Sequence, residues 1–123
     1  MSKGMYVVLT NCADPARHEE YNRWYSHIHQ PDLKPAKGLV SVNRYRNTSP
    51  DGEPSVYMAT YEFKTDDFWE SRVDFFRLAE MTFPSRHIDC HESRGKGGWF
   101  QEIDAGAYEP LEVLDYPRTA SWA

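Results

Sequence analysis

Positive charge is scarce in this chain. Fourteen Lys and Arg stand against nineteen Asp and Glu, a net charge of -5 over 123 residues. That balance offers no basic face to a phosphate backbone, and no RNP-like aromatic motif or recognition-helix signature occurs, which excludes nucleic acid as a partner. Long hydrophobic runs are missing too. The opening MSKGMYVVLT is too short an apolar run for a signal peptide and nothing approaches a membrane span, so the expected location is cytoplasmic, away from any membrane. Cysteine is nearly absent: Cys12 and Cys90 lie far apart, neither belongs to a CxxC pair, and both read as free thiols of a reducing compartment. Hydrophobic residues make up only 40%, yet aromatics reach 15% and carry much of the buried area of a single modest core.

What is abundant is concentrated in one stretch, YNRWYSHIHQPD at residues 21–32. On a helix turning about 100° per residue, Tyr21, Trp24, Tyr25 and Ile28 share the buried side. His18, Asn22 and His29 form a polar line beside Tyr25, and His27 falls on the opposite flank, so the two neighbouring histidines cannot share one ligand. Pro31 and Lys34-Pro35 predict that the helix stops there, with His29 at its C-terminus, where the dipole favours a charged ring.

Around this stretch the chain reads β-α-β-β-α-β followed by a tail. Residues 5–12 form a strand apolar on both faces, as in an inner strand. Asp14-Pro15 starts the first helix, running to His29. Strands at 39–46 and 56–63 flank the turn cluster Ser49–Pro54 and pair as an antiparallel hairpin. Thr65 caps a second helix whose buried stripe is Phe68, Trp69, Val73, Phe76 and Ala79, with Arg72 inside it. Residues 81–98 read as a long loop and 98–103 as a fourth strand. The domain spans residues 1–105, and 106–123 form an extended aromatic tail that packs on its own domain or on a second subunit. Both helices cover one face of a four-stranded sheet. The bare face, carrying the Val40/Val42 row or the Tyr57/Tyr61 row, is too apolar for water and predicts a face-to-face homodimer.

Tyr21-Asn22-Arg23-Trp24-Tyr25, then His29, Pro31-Asp32, Gly38-Leu39-Val40 and Arg44-Tyr45-Arg46 resemble the dimeric α/β-barrel superfamily, closest to its EthD-like branch. The resemblance covers residues 5–64; beyond them only the element order is similar. It departs from the common pattern at His27, Gln30, the 81–98 loop and the tail. The resemblance implies an α+β, ferredoxin-like fold that pairs through its sheets. It also implies enzymes without organic cofactors (lyases, cyclases, dehydratases, isomerases and monooxygenases) acting on small, often aromatic molecules, beside members of unclear activity. By motif position the family histidine is His29 and the Pro-acid pair is Pro31-Asp32.

An imidazole of ordinary pKa exchanges protons readily near neutrality. One assignment therefore makes His29 the general acid or base, Asp32 its orienter and Tyr25 the donor to a developing oxyanion. The alternative is a helix C-cap: His29 donates to a last-turn carbonyl and Asp32 is a solvated loop acid. Tyr21, Asn22, Trp24, Tyr61, Arg72 and Phe76 are the candidate contacts for a hydrophobic, aromatic substrate. Arg72 either forks onto a substrate anion or snorkels to water. His87, Asp89, Cys90 and His91 alternate like metal ligands but lack the fixed support of a site, so no metal is expected. Gly95-Lys96-Gly97-Gly98 lacks the strand-before, helix-after context of a phosphate loop. Two functions remain: a cofactor-independent enzyme, or a non-catalytic dimer that shuttles a hydrophobic intermediate.

Overall fold

The computed structural model describes residues 2–48 and 56–120, with side chains except at 83–85, 94–96 and 115–120. The elements are β1 (Ser2–Cys12), α1 (His18–Trp24), a π-helical turn (Tyr25–His29), α2 (Gln30–Leu33), β2 (Leu39–Arg46), β3 (Tyr57–Thr65), α3 (Phe68–Arg86), β4 (His91–Asp104) and β5 (Ala107–Ala120). They form one antiparallel sheet in the order β2-β3-β1-β4-β5. Its first four strands have the ferredoxin-like βαββαβ topology, an α+β fold with β1 inside the sheet. The expected strand count is corrected from four to five. The chain turns at Gly106, whose φ of 78° suits glycine, and pairs from Asp104↔Ala107 back to Ser93↔Ala120. This fifth strand covers the long edge that β4 would otherwise leave open.

Alternation sets the two faces of the sheet. Tyr6 and Val8 of β1 and Tyr57, Ala59, Tyr61 and Phe63 of β3 are buried under the helices. Tyr6 packs its ring 5.3 Å from Phe75 of α3 and 5.0 Å from Trp99 of β4, and Tyr61 lies 4.9 Å from Phe75. The opposite row, Met5, Val7, Leu9, Met58 and Phe100, is only half-buried. Neither of the two rows expected on the bare face is there: Tyr57 and Tyr61 lie beneath the helices, and Val42 packs against that same core.

Four helical expectations also change, the first being that the helix begins at His18 and not at Asp14-Pro15, where the Asp14 carboxylate accepts from the Ala16 N–H in a turn. The first helix does not stop before Pro31 but continues to Leu33. Asp67, not Thr65, caps α3, its carboxylate accepting from the Trp69 and Glu70 N–H groups, while Thr65 Oγ1 meets Asp67 and Ser71. The α3 stripe is rotated, with Ser71, Phe75, Phe76 and Ala79 inside and Trp69 and Val73 exposed. Phe75 decides this, because its ring fills the space between Tyr6, Tyr61 and Phe63. The loop expected over residues 81–98 is the end of α3 and the first half of β4. The helix end is held by Trp24, whose indole N–H donates to the Arg86 carbonyl at 2.7 Å. The glycine run lies in β4, at a bulge between the Val7↔Gly98 and Thr10↔Ser93 pairs. Gly98, at φ 136°, brings its Cα so close to β5 that an added Cβ would sit 2.0 Å from the Glu112 carbonyl oxygen. The Ser49–Pro54 turn and Trp122 lie outside the described residues.

Candidate functional site

Pro31 is tolerated within the helix because the ladder widens before it. The Gln30 N–H donates to the Tyr25 carbonyl, five residues back, and α-helical bonding resumes with Lys34 N–H to Gln30 O at 3.1 Å. The wide turn brings residues five apart into register. Trp24 stacks on His29 with ring centroids 4.8 Å apart and planes 15° apart, and Tyr25 meets the same imidazole edge-on at 4.8 Å. Such single π-helical turns recur at functional sites.

His29 is therefore buried, 7% exposed, and not at a solvated helix end. Burial foremost, then the neighbouring His87 and the positive charge of Arg44, lowers its pKa to about 3. The expectation of a charged ring is corrected: His29 is neutral, and its Nε2 has no hydrogen-bond partner. His91, at the start of β4, is buried beside it, 5.8 Å from ring to ring. Its Nδ1 is paired with the Tyr21 hydroxyl at 2.9 Å, and its Nε2 is unpartnered. Burial, His29, His87 and Arg44 together hold it well below its ordinary pKa. The Tyr25 hydroxyl pairs with Tyr61 at 2.8 Å, and burial pushes Tyr25 up to about 12.

Arg44 completes the cluster. On β2 it faces the helices opposite Ala59, with its guanidinium carbon 4.1 Å above the Tyr25 ring, 5.2 Å from Tyr57 and 5.8 Å from Tyr21. Its Nε and Nη2 are buried without a hydrogen-bond partner. A cation over an aromatic face gains about 0.5–2 kcal/mol. Withdrawing a charge from water costs several kcal/mol, about twice that or more. Arg44 as a whole is half-buried, so only part of that cost applies, and what the tyrosine cage leaves uncompensated is the Nε and Nη2 pair, which has no hydrogen bond among the described residues.

The other sequence candidates sort by their partners. Tyr21, Trp24, Tyr25, Tyr61 and His29 come together, and Asn22 joins them at the rim by donating to the Tyr57 hydroxyl at 3.2 Å, where His18 Nδ1 also binds at 2.8 Å. Asp32 does not orient His29. Its carboxylate accepts from Arg86 Nε at 2.7 Å, a stronger claim on it than a neutral imidazole could make. Arg72 is committed to Glu112 of β5 at 2.9 Å, and Phe76 packs on Tyr6 and Trp99, so both belong to the distant end of the core. The 87–91 run divides: Asp89 binds Arg17, Cys90 lies 3.4 Å from Cys12 as one of two buried free thiols, and His91 pairs with Tyr21 while its ring stays 5.5 Å from that of His87. Among the described residues no three His, Cys, Asp or Glu side chains are grouped to hold a metal ion. No described helix is long and apolar enough to cross a membrane. Sequence reasoning missed Arg44 and His91. The available signal was the Arg44–Tyr45–Arg46 end of the strand facing the aromatic helix stripe.

Two hollows flank the cluster. An open groove of about 500 Å³ includes Trp24, Ile28, Arg86, His87 and Ile88 in its wall, a volume suited to a small molecule. Behind it a cavity of about 10 Å³, room for one water, touches His29. Trp24, Arg86 and His87 border both and stand between the groove and the imidazole.

No family model and no curated protein sequence matches this chain. Among solved structures, it is similar to HapK from Hahella chejuensis, with 13% identity, coverage of 96% of this chain and 94% of that one, and a TM-score of 0.49. It is also similar to an ethyl tert-butyl ether d (EthD) family protein from Bacillus halodurans, with 16% identity, coverage of 70% and 88%, and a TM-score of 0.46. Both are likenesses of fold.

Proposed function

We propose that this protein is a cofactor-independent enzyme acting on a small hydrophobic, aromatic molecule, with His29 as the proton acceptor. The observation that carries this reading is the unpartnered Nε2 of a neutral histidine, enclosed by Trp24, Tyr25 and His91 behind a groove of substrate size. A neutral imidazole takes a proton from an acidic C–H, and negative charge passes to the adjacent oxygen of the substrate. The Tyr25–Tyr61 hydroxyl pair, which burial keeps protonated, is the donor to that oxygen. Lyase, cyclase, dehydratase and isomerase chemistry all begin with this step. Access requires Trp24 and Arg86 to part, and the Asp32–Arg86 pair acts as the clasp of that gate.

The test is deuterium uptake from D2O at the α-carbon of aryl methyl ketones, followed by NMR. Wild type accelerates uptake, and His29→Gln, which keeps much of the buried volume, loses about 10²–10⁴ of the acceleration while remaining folded. Equal rates in both proteins would sink the assignment. A second reading, a non-catalytic carrier of a hydrophobic intermediate, is favoured by the enclosure of His29. It predicts ketone binding without any acceleration. In either role the half-buried row of Met5, Val7, Leu9, Met58 and Phe100 is proposed to meet its copy in a homodimer. A monomer by sedimentation at micromolar concentration would refute the pairing.

A further inference from the structure

We infer that the Nε/Nη2 edge of Arg44 is a receptor for a carboxylate, so that the molecule handled beside His29 is an aromatic acid rather than a neutral aromatic compound. The inference rests on the site being one for a small molecule, but not on His29 moving a proton. A guanidinium has five N–H donors, and which of them lack partners carries information. Nε–H and the adjacent Nη2–H point the same way, forming the parallel fork that matches the two oxygens of a carboxylate. These are the two buried donors of Arg44 with nothing to bond, and no described carboxylate is bonded to the side chain.

The surroundings select the rest of the ligand. Tyr25 offers its ring to one face of the guanidinium at 4.1 Å, and Tyr57 and Tyr21 stand at 5.2 and 5.8 Å; these ring contacts leave the hydrogen bonds of the fork edge unmade, and an anion reaches that edge by displacing the side chains that bury it. The two imidazoles within electrostatic reach of Arg44, His29 and His91, are neutral and each keeps an unpartnered Nε2. The cluster thus combines one unmatched positive charge, neutral polar atoms and aromatic walls. That composition suits a planar acid and rejects a cation. It also couples binding to chemistry, because a carboxylate on Arg44 cancels one of the charges that hold the His29 pKa down.

The experiment measures binding of acetate, benzoate and naphthoate, each against its neutral amide, by calorimetry to the intact protein. For at least one pair the acid should bind about ten-fold tighter or more, as a charge-assisted fork should provide. Arg44→Gln should reduce that preference to about two-fold or less, and Arg44→Lys, which keeps the charge but not the fork, should fall between. His29→Gln should lose the deuterium uptake yet still prefer the acid over the amide, by a margin that Arg44→Gln removes, which separates this inference from proton transfer. Acids and amides binding alike in wild type, or a preference that survives Arg44→Gln, overturns the inference. Should the Arg44 variants not fold, the Nε–H resonance of Arg44 in wild type gives the answer. It shifts on saturation with the preferred acid and not with the amide if the fork is engaged, and its indifference to both overturns the inference.

Discussion

The buried layer between helices and sheet has two ends built from the same aromatic material. At one end Tyr6, Phe63, Phe75, Phe76 and Trp99 interlock at centroid distances of 5.0–6.0 Å around α3 and the centre of the sheet. At the other, Tyr21, Trp24, Tyr25 and Tyr57 surround two neutral imidazoles and a guanidinium. The first arrangement is what close packing of hydrophobic rings requires. The second departs from it in degree: among the described residues both imidazoles and the guanidinium retain unpartnered polar atoms, against the single indole N–H of Trp99 at the first end, and such atoms lower the stability of a fold. Tyr61 belongs to both ends, packing on Phe75 and hydrogen-bonding Tyr25. Stability is concentrated at one end of a continuous core and reactive groups at the other, as expected where a site strains what packing supports.

Acid should break the second end most strongly. In the unfolded chain imidazoles take up protons below their ordinary pKa of 6.5, whereas His29 in the fold resists protonation down to about 3 and His91 is also held low. The unfolded state therefore binds more protons across that window, and stability falls with pH by up to about 1.4 kcal/mol per unit for each such ring. Urea midpoints between pH 7 and pH 4 should drop steeply, and His29→Gln should flatten the slope by one proton; an unchanged slope would show that His29 is not held neutral. At the packed end Phe75→Ala should cost about 3–5 kcal/mol in urea unfolding at pH 7. Arg44→Met sharpens the contrast: removal of an undercompensated charge should leave stability within about 1 kcal/mol or raise it. A loss comparable to that of Phe75→Ala would mean that the tyrosine cage holds Arg44 as a structural element. The smallest effect is expected for Asp32→Asn. It should move the melting temperature little and keep or raise the rate of deuterium uptake by loosening the gate, whereas an orienter of His29 would lose most of that rate.

Much of this was legible in the sequence. Tyr21, Trp24, Tyr25 and Ile28 repeat at helical spacing and do form the inward face, and the strands expected at 39–46 and 56–63 pair as an antiparallel hairpin, with a register shift that puts Leu39 and Val42 on the same side. His29 also stood out correctly as a member of that cluster, although its charge state did not. The misreadings share a cause, which is that tertiary contacts outweighed local rules. Pro31 reads as a stop because sequence rules assume a uniform ladder, and a widened turn is settled only once Trp24 has a place against Arg86. Arg44 in an alternating strand reads as one more polar position. Its enclosure becomes apparent only when the aromatic face of α1 and the following turn is laid over β2. His91 was read as part of an irregular loop over residues 81–98, whereas the glycines of that stretch are where β4 approaches β1 and β5 closely. On α3 the sequence reading placed Trp69 in the interior and passed over Phe75, and the shape of the sheet reverses that choice.

The widened turn also makes the site sensitive to the length of the chain. Between Trp24 and Pro31 the helix holds one residue more than an α-helical ladder would need, and that surplus residue sets the phase of everything after it. Substitution at exposed Ser26 or His27 leaves the phase untouched. Removal of either residue would close the ladder into a regular α-helix with His29 four residues after Trp24 and still on its side, whereas insertion of a further residue would turn His29 away from Trp24 by about 100° while preserving every chemical group of the site. In this protein the site depends on counting as well as on composition: a relative with the same histidine but a turn one residue longer would present it to a different neighbour.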